Sequence, residues 1–186
     1  MGGEKAVVEL EGRPLVRYAL DALREVCDDV AVVAKRETLL PVLGGLAEVW
    51  IEPGEPRHPL TGVVHALRQA AGRPVLVVAG DLPCLDGSTL RAIASADPQG
   101  AAVVAPRVHD RLQPLCALYL PAALGALEGF DPGGRATDLV RSIGVRELAG
   151  LDPAAFLNMN RPEDLIQAAV WLSRRPARPA VRPRGR

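Results

Sequence analysis

The stretch Pro74-Val-Leu-Val-Val-Ala-Gly-Asp-Leu-Pro-Cys84 constrains this chain more than any other. Its apolar residues Val75 to Ala79 follow one another without polar alternation and are mostly β-branched or small. That is the pattern of a strand buried on both faces of a sheet. Gly80 ends the run, and Asp81 falls where the strand emerges at its carboxyl end. Pro83 stops the chain from continuing in the ladder. Open α/β sheets bind ligands in the crevice outside the carboxyl ends of their strands. An acid there can hold Mg²⁺ with a bound phosphate, because Mg²⁺ takes one or two carboxylates plus substrate phosphates. The same aspartate serves equally well as a turn cap before the next helix. Spacing alone leaves both roles open.

Around this strand, extended and helical patterns alternate. Ala6 to Leu10 reads as extended, followed by a turn at Glu11-Gly12-Arg13, and Pro14 suits a first helical position. Leu15, Ala19, Ala22, Leu23 and Val26 keep helical spacing. Asp29 to Ala34 is a strand, buried by its composition, and Thr38 caps a short helix ending near Gly44-Gly45. A short strand, Glu48 to Ile51, precedes a proline-rich loop and a helix with Val63, Val64, Leu67 and Ala71 on its apolar face. After the Val75 strand come a helix capped by Ser88, strands at Ala101–Ala105 and Pro114–Leu120, and a helix from Pro121. A helix over Ala136–Ile143, a small strand at Val145–Leu148, an extended Phe156–Met159 and a last helix from Pro162 through Leu172 complete the body. The alternation predicts one α/β domain over residues 1–172, a mostly parallel sheet with helices on both faces. Residues 173–186, rich in Pro and Arg, are expected to be a disordered tail.

Lys+Arg and Asp+Glu balance at 22 each, which leaves no overall field for nucleic acid or a membrane surface. The tail holds six arginines and no acid, so the remainder carries a charge near −6. Cys27, Cys84 and Cys116 lie far apart without zinc spacing, which suits reduced thiols in a cytoplasmic protein. No run approaches the roughly 18 apolar residues of a membrane span.

Four further motifs carry chemistry. Gly2-Gly3-Glu4-Lys5 can offer backbone N–H groups and a cation to phosphate, or it can be a frayed end. His58-Pro59-Leu60-Thr61-Gly62 sits at a loop-to-helix junction whose N–H groups either face a ligand or simply start the helix. Phe156-Leu157-Asn158-Met159-Asn160 places two amides on one side of an extended segment. Gln113-Pro114-Leu115 and Gly133-Gly134-Arg135 read as loops when taken alone. The three histidines show no metal spacing, and His65 reads as an ordinary helix residue. No nucleophile–base arrangement suggests covalent catalysis.

In order, Met1-Gly-Gly-Glu-Lys5, Gly12-Arg-Pro-Leu15, Pro59-Leu-Thr-Gly62, Gly80-Asp-Leu-Pro83, Gln113-Pro-Leu-Cys-Ala-Leu118 and Phe156-Leu-Asn-Met-Asn-Arg-Pro-Glu-Asp-Leu165 resemble the molybdenum cofactor guanylyltransferases, the MobA-type nucleotidyltransferases. Gly-Asp-Leu-Pro places only the wider superfamily, whereas the closing pattern with Pro-Leu-x-Gly is specific to the MobA type. The resemblance implies a Rossmann-like fold of the nucleotide-diphospho-sugar transferase type. It implies transfer of GMP from Mg·GTP to the phosphate of molybdopterin cofactor, with release of pyrophosphate. Asp81 then matches the Mg²⁺-binding and catalytic aspartate, and Lys5 the catalytic lysine closing the phosphate loop. Gly2, Gly3, Lys5, Glu52, Leu60, Gly62 and Asp81 would line the nucleotide. Pro114, Arg135, Asn158 and Asn160 would meet the pterin. Molybdoenzyme-maturation proteins are the partners the resemblance suggests, with the enzyme a monomer or weak homo-oligomer.

The family begins with a strand and a Leu-Ala-Gly-Gly-x-Ser-x-Arg loop ahead of the position Met1 matches, so a misassigned start or a shortened chain is expected. Val33 and Pro53 stand where members often carry asparagine and aspartate, with Glu52 as the neighbouring acid. The alternatives are CMP transfer to the same pterin, guanylylation of another phosphorylated small molecule, or a binding domain without catalysis.

Overall fold

The computed structural model describes residues 5–174. Gly2, Gly3 and the end of the Pro/Arg tail lie outside them. A 3₁₀ turn at Lys5–Val7 leads into a minimal hairpin, β1 (Glu9–Leu10) and β2 (Arg13–Pro14). Helix α1 (Leu15–Arg24) follows, then the parallel pair β3 (Ala31–Ala34) and β4 (Glu48–Ile51). Helix α2 (Pro59–Gln69), β5 (Val75–Val78) and α3 (Gly87–Ala94) come next, then β6 (Val103–Val108), β7 (Arg111–Leu112) and β8 (Cys116–Tyr119). Helices α4 (Ala122–Leu127) and α5 (Ala136–Ser142), strand β9 (Val145–Leu148) and α6 (Pro162–Ser173) end the fold.

The main sheet has the order β5-β8-β6-β7, with β9 joined to β6. β6 and β9 run parallel, while β8 runs antiparallel between β5 and β6. Side chains alternate between two faces, as the pleat requires. Val75, Val77, Val103, Ala105, Ala117 and Tyr119 meet α2, α4 and α5, with Leu60, Val63, Leu67, Leu127 and Val140 in the same core. Leu76, Val78, Val104, Cys116 and Leu118 meet the other layer, with Ala22 of α1 and Leu90 and Ile93 of α3. Every residue of β8 is buried, because it has a strand on each side and helices on both faces. Each buried Leu or Val contributes roughly 1.5–3 kcal/mol relative to exposure. Helix α6 packs across the amino-terminal hairpin through Ala168, beside Leu10, Tyr18 and Met159.

The α/β class and the layering agree with the sequence reading. The main sheet, however, is mixed rather than mostly parallel, because β8 runs antiparallel between β5 and β6, and several local expectations also differ. The predicted helix after Thr38 is absent: residues 38–43 have no regular structure, and a turn follows. Arg17 of α1 donates to the carbonyls of Val42 and Leu43, which ties this irregular segment to α1. Lys5–Val7 coils into a 3₁₀ turn rather than extending. Pro14 stays in β2 as the cap of α1, with the helix beginning at Leu15. Asp86, not Ser88, caps α3, its carboxylate accepting from the Thr89 N–H at 2.7 Å. Pro153–Phe156 forms a 3₁₀ turn, so the extended stretch begins at Leu157.

Strands β3 and β5, expected to be buried on both faces, are half-buried except at Ala34. Among the described residues each pairs on one edge: β3 with β4, and β5 with β8. The strand at Ala101 starts two residues later and runs on to Val108, where it folds back through His109-Asp110 into β7.

Candidate active site

Charged residues follow the ends of three strands. Lys35 follows β3, Glu52 follows β4, and the Gly80-Asp81 turn follows β5. The Glu52 N–H donates to the Ala34 carbonyl at 2.9 Å, which holds the ends of β3 and β4 together. The Glu52 carboxylate lies against the first turn of α2. A Cβ built on Gly62 would stand 2.7 Å from Glu52 Oε2, so only glycine lets the acid occupy this position. Burial pushes the Glu52 carboxyl above its ordinary value, against the attraction of Lys35 and His65, with Glu37 adding to the rise.

Glu52 belongs to a cleft of about 530 Å³ that also takes in Arg36, Glu37, Pro53, Gly54 and His65. That volume falls in the range of small-molecule sites. His65 was not expected here. It lies three residues after Gly62 on α2, and residues at that spacing share one helix face. Lys35, Arg36 and Glu37 follow the last residue of β3, where ligands gather on such sheets. Those two signals could have found them.

His58 has a different part from the one its motif suggested. Its Nδ1 accepts from the Leu60 N–H at 3.2 Å, capping α2, and its Nε2 lies 3.1 Å from the Gly134 carbonyl. The pair of contacts assigns the proton to Nε2. The ring also lies against Phe130, tilted by 47° with centroids 4.7 Å apart. The Thr61 N–H donates to the His58 carbonyl, so two N–H groups at this helix start already have partners. Leu60 is fully buried in the core. Arg135, exposed at the start of α5, is brought next to the α2 start by the His58–Gly134 link.

Asp81 is half-buried between the end of β5 and the loop leading to α3. Its carbonyl accepts from the Met159 N–H at 3.1 Å. Met159 is buried, while Asn158 and Asn160 on either side are exposed, so the predicted two-amide face exists beside the Asp81 turn. The Asn160 N–H donates to Asp164 Oδ2 at 2.9 Å, fixing this segment to the first turn of α6. Pro114 lies in the turn before β8, its carbonyl accepting from the Tyr119 hydroxyl at 2.8 Å. Lys5 opens the 3₁₀ turn, which packs on α1.

Among the described residues no group of three or more His, Cys, Asp or Glu side chains is arranged to hold a metal ion. A cation caged wholly by protein does not fit this arrangement. A Mg²⁺ carried on substrate phosphates and anchored by the single Asp81 carboxylate does, since that is how Mg²⁺ is usually bound. No helix among the described residues is long and apolar enough to cross a membrane.

The MobA-like NTP transferase domain pattern matches residues 1–148. A molybdenum cofactor guanylyltransferase of Desulfosudis oleivorans is 30% identical over 90% of this chain and 86% of its own length. One from Cereibacter sphaeroides is 33% identical, covering 92% of this chain and 90% of its own. Among solved structures, molybdopterin-guanine dinucleotide biosynthesis protein A from Archaeoglobus fulgidus superposes with a TM-score of 0.74 at 23% identity, covering 92% of this chain and 91% of that one. The 2-C-methyl-D-erythritol 4-phosphate cytidylyltransferase of Thermus thermophilus gives 0.66 at 22%, covering 91% and 94%. At those identities the solved structures establish a shared fold. The family match and the curated relatives place the chain among the nucleotidyltransferases. The chain belongs to the MobA-like NTP transferase family.

Proposed function

We propose that this enzyme transfers GMP from Mg·GTP to the phosphate of molybdopterin cofactor. The observation that carries this reading is the Asp81–Met159 hydrogen bond, which puts the acid at the end of β5 beside the Asn158/Asn160 face. One segment then serves the triphosphate and the other the acceptor, next to each other. The guanylyltransferase names of the curated relatives supply the substrate class.

In this reading a phosphate oxygen of the pterin attacks the α-phosphorus of GTP. A new P–O bond forms, the α–β bridging P–O bond breaks, and pyrophosphate leaves with the electron pair. Mg²⁺, when bound, screens the charge of the triphosphate. Asp81 holds and orients that cation, and Lys5 offsets negative charge near the phosphates with Gly2 and Gly3 alongside. Glu52, with Gly62 making room for it and Leu60 at the same helix start, faces the nucleotide, and its carboxylate can accept the paired N–H donors of guanine. Pro114, Arg135, Asn158 and Asn160 contact the pterin. The protein supplies positioning and electrostatics rather than a covalent intermediate.

The test is pyrophosphate release with GTP, CTP or ATP and the pterin acceptor, with and without Mg²⁺. Turnover with GTP that needs Mg²⁺ and falls by an order of magnitude or more with CTP supports the reading. Equal use of CTP overturns the guanine assignment.

A further inference from the structure

Residues 157–160 have no regular secondary structure, so no ladder of backbone hydrogen bonds fixes them. Their backbone is held at separate points instead. The Met159 N–H donates to the Asp81 carbonyl at 3.1 Å. Just beyond it one oxygen takes two donors: Asp164 Oδ2 accepts from the Asn160 N–H at 2.9 Å and from the Arg161 N–H at 2.8 Å. Three successive N–H groups are thus shared between the Asp81 turn and the first turn of α6.

Asp164 is itself fixed in place. Its N–H donates to the Arg161 carbonyl at 3.1 Å, and α6 packs through Ala168, fully buried in one cluster with Leu10, Tyr18 and Met159. A carboxylate at the third position of a helix, turned back to the N–H of the cap residue, makes a capping box. The usual box ends at that cap residue, here Arg161. This one reaches one residue further, to Asn160, which like Asn158 is exposed. A negative acceptor suits the positive end of the helix, and hydrogen bonds to a charged group are roughly twice as strong as neutral ones.

We propose that Asp164 is a positioning residue for the pterin acceptor: it locks the Asn160 backbone, so that the Asn158 and Asn160 side chains meet the pterin at a fixed distance from Asp81. The role rests on reading those two amides as the contact for the pterin. Asp164 acts through the Asn160 backbone rather than on either substrate. Without its carboxylate two N–H groups lose this acceptor, and the backbone at Asn160 and Arg161 regains freedom. The Met159–Asp81 bond still holds the side that serves the triphosphate. The loss therefore falls on the acceptor and not on GTP.

Titration of the 186-residue chain with molybdopterin cofactor and, separately, with Mg·GTP tests this. Asp164→Ala should weaken cofactor binding at least about tenfold and leave GTP within about twofold of the parent. Asp164→Asn keeps an oxygen that can accept both N–H groups and should restore cofactor binding to within about threefold. Amide exchange at Asn160 and Arg161 should quicken in Asp164→Ala and slow again in Asp164→Asn. If Asp164→Ala does not fold, Asp164→Ser, too short to reach Asn160, carries the same comparison. Cofactor binding by Asn160→Ala equal to the parent's removes the amide face and the proposal with it. Weak binding by Asn160→Ala beside unchanged binding by Asp164→Ala overturns the positioning role alone. Equal losses for GTP and cofactor overturn it too, assigning Asp164 to folding. So does an Asp164→Asn variant as weak as Asp164→Ala, which would make the charge rather than the acceptor geometry decisive.

Discussion

The Met159 N–H donates to the Asp81 carbonyl at 3.1 Å, joining two segments that are far apart in sequence at the carboxyl end of β5. Met159 is buried while Asn158 and Asn160 are exposed, so the bond sets both the height of the Asp81 turn and the direction of the two amides. A reaction between a metal-bound triphosphate and a second substrate needs this kind of shared framework, because misplacement by one ångström can cost about a hundredfold in rate.

Asp81→Asn keeps the shape of the side chain and removes its charge. Mg-dependent transfer should fall at least about a hundredfold, the scale seen when a key electrostatic group is lost. The Asp81 carbonyl, which holds Met159, is left in place by the substitution. Undiminished turnover would remove Asp81 from the mechanism.

Gly62→Ala introduces a methyl group 2.7 Å from Glu52 Oε2, a distance that forces the carboxylate to move. Alanine suits a helix interior better than glycine, so folding should be nearly unaffected. The apparent affinity for GTP should drop by about tenfold, equivalent to about 1.4 kcal/mol. Isothermal titration with GTP reads this directly, and an unchanged affinity would place the nucleotide elsewhere.

Glu52 makes stability and binding respond oppositely to pH. Its carboxyl is raised in the folded protein by burial, so the folded state holds the proton more tightly than the unfolded chain. The stability this confers is present below the unfolded value and lost as pH rises through the raised one. Glu52→Gln should therefore raise the melting temperature relative to the parent near neutral pH and give no such gain in acid. GTP binding by the parent should strengthen over the same rise in pH, whereas in Glu52→Gln it should be weak and flat.

His58→Ala removes the cap of α2 and the contacts with Gly134 and Phe130. Loss of a helix cap alone costs about 1–2 kcal/mol, measurable as a lower urea midpoint. His58→Asn keeps a capping acceptor and should recover part of that loss. Exchange of amides near Gly134 and Arg135 should remain fast in both variants, since neither asparagine nor alanine reaches Gly134.

The sequence by itself determined the α/β class, the strand leading to Asp81 and the helix carrying Val63, Val64 and Leu67. Those features come from local rules: an apolar run without alternation, a glycine at its end, apolar residues at helical spacing. It also marked Asn158 and Asn160 as a pair, because side-chain alternation along an extended segment needs no knowledge of the fold. Only the tertiary structure decided which of these segments meet. Nothing local shows that Met159 bonds to Asp81, that Gly62 makes room for Glu52, or that His65 joins the same cleft. The segment after Thr38 carries a helical signal, yet it is irregular in the structure and is tied to α1 through Arg17. Half-burial of β3 and β5 likewise depends on how many neighbours each strand has, a property of the sheet rather than of its residues. Hydrogen bonds and packing between distant segments follow from the assembled sheet, and no reading of one stretch at a time contains them.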